Sequence, residues 1–520
     1  MLLRTLLCVT VLAVSMIAPA AAAPQIIEVY PDPPTPDDQG EWIIIDTDGR
    51  GDLRVDDGEG STAVPDAGIV ILSDRPGQID PPRNGTRLHT EIRLANRGET
   101  VRLLADDRII DQLTYERARS GVRYHHAHGP VPVGVTPRAP TRHTVTALTP
   151  LVYPEAAGVL ERHVAAAGER IIIGCYTYAS PSLTDQLLDR LAAGVSVRLL
   201  CERAPIGGIS PQQLAQLDRL AAAGADVRLI GGHDDRYRYH HPKYLIADDR
   251  AVVLTENFKP AGTGGMDSRG WGLLIEDSGF ADALAAIHAH DVNGTDVAAF
   301  GAVRRSLTVT DAPVAAGSYP RGDPPPPTAG VDLTLATAPT AADPLLLGAV
   351  ADAEHSIRVI GPRLPADGRH FRALVAAART GVRVQLLLSN AWYDAEGNAA
   401  TVAAAERLNA SGVPITARVA APAGRYGKVH AKGAIIDDRQ VLVGSVNWND
   451  GAPTRNRELL VRVDDPAVAA AFAAIYDADW RASDAVGGPL TPHQQLQLGA
   501  LSAVAAAVAL WRVRRTVRFA

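Results

Sequence analysis

The residues most able to do chemistry in this chain form one short pattern that occurs twice. Each copy has a histidine, a lysine two residues later and an aspartate five residues after the lysine, and the copies are 189 positions apart. An imidazole can attack phosphorus or move a proton, and a compact ammonium can hold a phosphate oxygen as a point charge. The pattern therefore predicts two half-sites for phosphate chemistry. The two copies are His241, Lys243, Asp248 and His430, Lys432, Asp437.

Lysine is nearly absent from the rest of the chain. Of the 51 Lys and Arg residues only four are lysine, and all four lie in the two windows that hold the motifs. A chain that otherwise uses arginine has kept lysine where a planar guanidinium does not fit. The remaining two, Lys259 and Lys428, are expected near the mouth of the site as substrate-binding residues that steer an anionic substrate, or on the solvated surface.

The residues that follow each motif predict how it is presented. Histidine and lysine two residues apart project from one face of a strand, and the aspartate begins a tight turn. The return strands then bring a hydroxyl and an amide back beside the histidine, from Thr255 and Asn257 in the first copy and from Ser445 and Asn447 in the second. Each half thus offers donors for phosphate oxygens together with one reactive imidazole.

The elements that carry these motifs also occur twice. From about residue 145 strand and helix patterns alternate, which predicts a parallel sheet with helices on its faces. The same order returns after a Pro-rich linker over 319–330. We therefore expect two duplicated α/β domains, over 144–318 and 331–488, that form one bilobal catalytic unit within a single chain.

The two motifs resemble the signature of the phospholipase D superfamily, HxKxxxxD followed by GSxN. The resemblance covers about residues 145–485. It implies that both histidines face one phosphodiester without a metal or any other cofactor. One histidine would attack and become a phosphohistidine, and the other would protonate the leaving alcohol and then activate water. The non-bridging oxygens would be held by Lys243, Lys432, Asn257 and Asn447, assisted by Ser445 and Thr255.

The two copies differ in ways that bear on their roles. In the family a carboxylate orients the imidazole, and Glu458 takes that place in the second copy, whereas Gly270 stands there in the first. Asp267 or Glu256 is left to substitute. Family precedent favours the histidine of the first motif as the nucleophile. Asp248 and Asp437 complete the catalytic set, although a structural, turn-forming role is expected for both.

Residues 24–143 form an all-β module by pattern, since short apolar runs alternate with clusters of Pro, Gly and Asp. The segments 26–32, 40–43, 94–101 and 110–115 resemble the lamin-tail type of immunoglobulin-like domain. This resemblance implies a β-sandwich that serves as an accessory binding or spacing module, without chemistry of its own.

Two apolar segments predict how the chain relates to a membrane. Residues 1–23 have the layout of a secretory signal peptide, with an uncleaved anchor as the alternative. Residues 494–513 are apolar and are followed by arginines, which predicts a transmembrane helix, or else an amphipathic helix lying on the membrane. Together they predict a single-pass cell-membrane protein with its bulk outside. Cys175 and Cys201 are expected as a buried thiol pair or a disulfide.

The partner predicted from these features is a phosphodiester, either a phospholipid or a nucleic acid. The net charge of −7 argues against a nucleic-acid binder that relies on a broad basic surface. We expect a membrane-tethered phospholipase D-type hydrolase, or a cardiolipin synthase-type transferase in which an alcohol replaces water. The alternatives are a secreted nuclease of the same superfamily and a non-catalytic surface adhesin.

Overall fold

The structure is a computed structural model that describes residues 23–232 and 236–483. The chain divides into two compact units, one up to Val133 and the other from Gly134. Each unit is described by itself below. The predicted signal peptide, apart from residue 23, lies outside the described residues.

The N-terminal unit consists of two sheets around one core. The strands run β10-β9-β1-β2-β5-β6 in one sheet and β4-β3-β7-β8 in the other. Apolar side chains of both sheets share this core, among them Val29, Ile43, Val55 and Leu103. The strands are β1 (Gln25–Tyr30), β2 (Trp42–Asp46), β3 (Leu53–Asp56), β4 (Ser61–Val64), β5 (Ile69–Ser73), β6 (Thr86–His89), β7 (Glu99–Ala105), β8 (Arg108–Tyr115), β9 (Val122–His125) and β10 (Gly129–Pro132).

The C-terminal unit begins with eight strands and five helices within its described first half. They are β11 (Thr141–Tyr153), α1 (Val159–Ala165), β12 (Arg170–Cys175), α2 (Pro181–Ala192), β13 (Ser196–Glu202), α3 (Pro211–Ala222), β14 (Asp226–Ile230), β15 (Tyr244–Ala247), β16 (Arg250–Leu254), β17 (Ser268–Glu276), α4 (Ser278–Val292), β18 (Val297–Ala299) and α5 (Phe300–Val303).

The second half repeats this order. It contains β19 (Thr328–Ala338), α6 (Ala342–Ala351), β20 (Ser356–Gly361), α7 (Arg369–Arg379), β21 (Arg383–Leu388), α8 (Ala395–Ala410), β22 (Ile415–Val419), β23 (Lys428–Val429), β24 (Gly433–Ile436), β25 (Gln440–Gly444), α9 (Ala452–Arg455), β26 (Glu458–Asp464) and α10 (Pro466–Ala482).

The two halves share one continuous sheet. Its order is β18-β14-β13-β12-β15-β16-β17-β11-β19-β26-β25-β24-β20-β21-β22, so the strands of the second half mirror those of the first about the antiparallel pair β11 and β19. Strands β12, β13 and β14 are parallel, as are β20, β21 and β22. The duplicated α/β architecture predicted from the sequence is therefore present.

Alternation along the strands places helices on both faces of this sheet. Ile172 and Ile246 point into a core with α4 and α10, which spans both halves. Their neighbours Ile171, Ile173 and Leu245 point into the opposite core with α1, α2 and α3. Strand β12 is apolar from Ile171 to Cys175, as expected for a parallel strand covered on both faces, whereas β13 and β14 carry the polar Arg198 and Arg228 on one face.

One part of the predicted fold class is wrong. No helix within 23–232 or 236–483 is long and apolar enough to cross a bilayer, and the transmembrane helix predicted over 494–513 lies outside these residues. The last described helix, α10, has 17 residues and carries Asp477, Asp479 and Arg481. Its apolar face packs against the sheet instead. The predicted membrane contact through a C-terminal helix is withdrawn with it.

Candidate active site

Both motifs lie at the carboxyl edge of the parallel strands, and each runs beside the other half of the chain. The N–H of His241 donates to the carbonyl of Arg457 at 2.8 Å, just before β26. In the same way the N–H of His430 donates to the carbonyl of Arg269, in β17, at 2.9 Å. The strand order thus brings residues about 190 positions apart into one site.

The first histidine is paired with a carboxylate of the second half. His241 Nδ1 lies 2.8 Å from Glu458 Oε2, and Asn456 donates to Oε1 of the same carboxylate at 2.9 Å. Burial lowers the pKa of His241 to about 4, although Glu458 opposes the shift. Burial alone would raise the pKa of Glu458, but the charges of His241 and Lys243 outweigh it and keep this pKa low. Glu458 is therefore ionised and holds Nδ1–H, which leaves Nε2 of His241 free to act as a base or nucleophile.

The second histidine is paired with a carboxylate of the first half. His430 Nδ1 lies 3.2 Å from Glu256 Oε2. The geometry therefore selects Glu256 from the two carboxylates that the sequence left open. Asp267 instead forms an ion pair with Lys428 at 3.1 Å. Burial raises the pKa of Glu256 to about 7 in spite of four neighbouring lysines.

The carboxylate of the first half occupies a different position from that of the second half, and Gly270 accounts for the space it needs. Gly270 in the first half corresponds to Glu458 in the second. The last residues of the return strands pair with Gly272 and Leu460, and Gly270 and Glu458 each lie two residues before these partners. A Cβ on Gly270 would overlap Cγ and Cδ of Glu256. Glu256 in turn occupies the position of Val446, between the hydroxyl and the amide of its motif. In the first half the carboxylate therefore follows β16 and does not lie in β17, and the glycine at position 270 leaves space for it.

The motif lysines are buried next to the histidines. Lys432 Nζ donates to the carbonyl of His430 at 2.6 Å and lies 3.3 Å from its ring Nε2. Lys243 Nζ donates to the carbonyl of His241 and lies 5.4 Å from the ring centre of Tyr176. Burial lowers the pKa of Lys432 to about 8 and that of Lys243 well below its ordinary value. A bound anion would reverse these shifts, because it stabilises the charged ammonium.

The amides and the hydroxyls of the return strands have different surroundings. Asn257 is buried, and its side-chain oxygen has no hydrogen-bond partner within the described part of the chain. Thr255 and Ser445 instead accept backbone N–H groups of the next strand, from Trp271 and Leu459, both at 2.9 Å. Ser445 also hydrogen-bonds Glu458. These two hydroxyls thus position neighbouring groups, and the half-buried Asn447 matches Asn257 by symmetry.

The motif aspartates are not brought to the histidines. Asp248 and Asp437 lie at the far ends of β15 and β24, in tight turns with positive φ of 55° and 52°. Asp248 accepts three backbone N–H groups, from residues 168–170, at 2.7–2.9 Å. Asp437 does the same with residues 354–356 at 2.7–2.8 Å. Burial would raise the pKa of both, but these hydrogen bonds outweigh it and lower the pKa.

Three groups at the site escaped sequence reasoning. Tyr176 places its ring 4.8 Å from that of His241. Two buried ion pairs join the halves: Arg457 with Asp291 at 2.8 Å and Arg269 with Asp479 at 2.9 Å. The available signal was the repeat itself, because both the arginines and the aspartates are 188 positions apart.

The remaining lysines stand around the mouth of this site. Lys428 is held between Asp267 and the ring of Tyr393, whose centre lies 5.6 Å from Nζ. Burial would lower the pKa of Lys428, but Tyr393 and Asp267 outweigh it and raise the pKa. Lys259 is half-buried, and its pKa is lowered by burial while Glu256 opposes the shift. The site thus gathers cationic donors around two imidazoles with opposite-half carboxylates.

Comparison with known proteins agrees with this geometry. A family model described as cardiolipin synthase, PLD-like domain, matches residues 160–289 and 346–480, about half of the chain. The chain belongs to the phospholipase D superfamily. The family resemblance predicted from the two motifs is confirmed.

Individual proteins match between 24% and 72% of the chain. A mitochondrial cardiolipin hydrolase of Xenopus tropicalis is 27% identical over 124 residues, which is 24% of this chain and 54% of that protein. The chain therefore spans about half the length of this relative. The structure of phosphatidylserine synthase from Haemophilus influenzae Rd KW20 is similar, with a TM-score of 0.52 and 12% identity over 72% of this chain and 96% of that one. Nuc from Salmonella typhimurium, a phospholipase D family member, is 29% identical over 29% of this chain and 93% of its own, with a TM-score of 0.24.

Proposed function

We propose that this superfamily member cleaves phosphodiesters by a metal-independent route through a phosphohistidine, with phospholipids as substrates. The observation that carries the proposal is the pair of imidazole–carboxylate contacts made across the halves. The pKa of His241 is about 4 and that of Glu256 is about 7. Groups whose environments push their pKa values apart can serve as base and acid in one reaction.

The first step assigns the attack to His241. Glu458 holds Nδ1–H, so the Nε2 lone pair of His241 forms a bond to phosphorus while the bond from phosphorus to the leaving oxygen breaks. The Glu256–His430 pair, which retains one proton up to about pH 7, delivers it to the leaving alcohol through His430. Lys243, Lys432 and the two asparagine amides stabilise the developing charge on the non-bridging oxygens.

The second step reverses these roles. His430, now without the proton, removes one from water or from an acceptor alcohol, whose oxygen then attacks phosphorus. The bond from phosphorus to His241 Nε2 breaks, and the imidazole returns to its neutral form. Water gives hydrolysis and an alcohol gives transfer, so the same residues serve both reactions.

Turnover tests separate these assignments. We expect the purified full chain to hydrolyse bis-p-nitrophenyl phosphate and labelled phospholipid in the presence of EDTA. His241→Ala and His430→Ala should both lose this activity, whereas His355→Ala, at an exposed turn, should retain it. Single-stranded DNA is offered as a third substrate. Preference for DNA would replace the lipid assignment with a nuclease, and loss of activity in EDTA would contradict the mechanism.

Trapping the intermediate distinguishes the two histidines. Each variant is incubated with a labelled diester whose leaving group needs no proton, and acid-sensitive phosphohistidine is then assayed. His430→Ala should accumulate label, and His241→Ala should carry none. The reverse result would exchange their roles.

We also propose that the protein works outside the cytoplasm. Cys175 and Cys201 are paired in register on β12 and β13 and form a disulfide. Such bonds persist in oxidising compartments and are rare in the cytosol. Thiol labelling after acid quenching and denaturation of the cells tests this proposal, since a cytosolic protein would show two free thiols at these buried positions.

A further inference from the structure

Large apolar side chains stand exposed on the two loops that follow equivalent strands. Ile206 lies after β13 and is 76% exposed, and Trp392 lies after β21 and is 74% exposed. Tyr393, beside Trp392, and Met266, in the turn before β17, are also exposed. We call these four residues the mouth rim. Exposed apolar groups gathered in one region indicate an interaction surface.

Contacts connect the mouth rim to both halves of the site. The N–H of Ile206 donates to Tyr176 Oη at 2.6 Å, and the Tyr176 ring lies 4.8 Å from the ring of His241. On the other side, Lys428 contacts both the Tyr393 ring and Asp267, the residue after Met266. The rim therefore borders the entrance on the sides of both histidines.

We propose that the mouth rim inserts into the headgroup layer of a phospholipid bilayer, so that the site takes its substrate from the membrane surface. This inference rests on the proposed function and adds how the site reaches its lipid substrate. Tryptophan and tyrosine favour the interface between headgroups and acyl chains, where the ring is apolar and its polar atom stays wet. The lysines lie deeper than the rim, as a lipid phosphate would require once the rim is inserted.

The composition of the rim favours lipid over nucleic acid. Single-stranded nucleic acid is held by a basic groove with aromatic platforms on which bases stack. Ile206 and Met266 are aliphatic and give neither stacking nor hydrogen bonds through their side chains. The carboxylate of Asp267 neutralises Lys428 at the entrance, and the chain as a whole carries a net charge of −7. Apolar insertion does not depend on a basic surface.

Trp392 reports on its own insertion. The sequence has six tryptophans, and within the described residues the other four are buried. We expect emission of the full chain to be quenched by vesicles of phosphatidylcholine and phosphatidylglycerol with brominated acyl chains. The quenched component should disappear in Trp392→Phe. Quenching reports insertion and needs no turnover, and the His430→Ala background is used to limit lipid hydrolysis during the measurement.

Turnover supplies the second readout. In Ile206→Ser/Trp392→Ser we expect the ratio of vesicle to dispersed short-chain lipid turnover to fall about tenfold, since two apolar anchors are lost. Ile109→Ser is the matched control: it removes a side chain that is 54% exposed on β8 and should leave this ratio unchanged.

Each outcome decides the proposal. Unquenched Trp392, or a ratio that the double variant leaves unchanged, overturns it. Binding of single-stranded DNA that is lost in Trp392→Ser while quenching by lipid is absent assigns the rim to nucleic acid instead. Self-association that the double variant abolishes, again without quenching, assigns it to a protein contact. Quenching without turnover of any phosphodiester retains the rim and rejects the proposed function.

Discussion

At each of the two motif histidines the imidazole is oriented by a carboxylate that belongs to the other half of the chain. The contacts are Nδ1 of His241 with Glu458 and Nδ1 of His430 with Glu256. The two carboxylates reach their histidines from different strand positions. Their environments also differ, because the pKa of Glu458 is lowered whereas that of Glu256 is raised to about 7. This asymmetry supports different roles for two otherwise equivalent histidines.

The different positions of the two carboxylates predict that two substitutions, each harmful to activity alone, restore activity when they are combined. Glu256→Val should lower kcat/KM for bis-p-nitrophenyl phosphate about 10- to 100-fold, because His430 loses the group that orients it. Gly270→Glu alone should also be harmful, since its side chain overlaps Glu256. Combined, they give the first half the arrangement of Val446 and Glu458.

We therefore expect the double variant to recover most of the activity lost in Glu256→Val. Thermal unfolding of all three variants serves as the control for misfolding. Losses that simply multiply in the double variant would contradict the exchange of positions.

The two pairs also predict the pH dependence of kcat/KM, which reports the groups of the free enzyme. His241 must be neutral, which holds above its pKa of about 4. The Glu256–His430 pair must keep its proton, which is lost as pH rises through about 7. We expect a bell-shaped profile that falls on the alkaline side near 7. In Glu256→Gln that limb should move towards lower pH, because burial and the neighbouring lysines lower the pKa of His430 and the carboxylate that shares its proton is gone. A wild-type profile that is flat across pH 6–8 would contradict the assignment of the Glu256–His430 pair as the acid.

At the scale of elements, the halves are held together by reciprocal ion pairs as well as by strand pairing. Asp291 at the end of α4 binds Arg457 beside β26, and Asp479 in α10 binds Arg269 in β17. The backbone carbonyls of these arginines also accept the N–H groups of His241 and His430, so the same pairs fix the spacing of the two motifs.

Breaking one such pair should be costly. Asp291→Asn keeps the shape but leaves the guanidinium of Arg457 buried without a counter-charge, so we expect a loss of about 3–5 kcal/mol in the free energy of unfolding. The control is Asp226→Asn, which breaks an exposed pair with Arg228 and should change stability by less than about 1 kcal/mol. Denaturant unfolding measures both. Equal effects would show that the buried pair does not hold the halves.

At the scale of the whole molecule, chemistry and accessory structure are separate. The core of the N-terminal unit contains no residue beyond Tyr124, and every proposed catalytic group lies in the C-terminal unit. The resemblance of the N-terminal unit to a lamin-tail domain stays a prediction. Its own core indicates that it folds around its own apolar residues.

This separation predicts that the N-terminal unit is dispensable for turnover of a soluble diester. A chain that begins at Gly134 should hydrolyse bis-p-nitrophenyl phosphate within about twofold of the full chain, because a domain with its own core retains its structure. Circular dichroism of the shortened chain checks its folding. A folded but inactive product would show that the N-terminal unit contributes to catalysis.

The sequence alone determined the two His–Lys–Asp motifs, the duplication that relates them and the superfamily. These features are local: histidine and lysine are two residues apart on one strand, and the repeat can be read by aligning the chain with itself. The turn-forming character of Asp248 and Asp437 was also legible, because aspartate favours such turns.

Only the tertiary structure decided which carboxylate serves which histidine, that Ser445 and Thr255 accept backbone N–H groups, and that two Arg–Asp pairs join the halves. The histidine–carboxylate and Arg–Asp contacts depend on the order of strands in the shared sheet, which brings together residues 166–217 positions apart, and the two hydroxyl contacts join neighbouring strands. Local periodicity carries no information about such pairing. The same limit applies to the wrongly included transmembrane helix, because an apolar run has one composition whether it crosses a membrane or packs elsewhere.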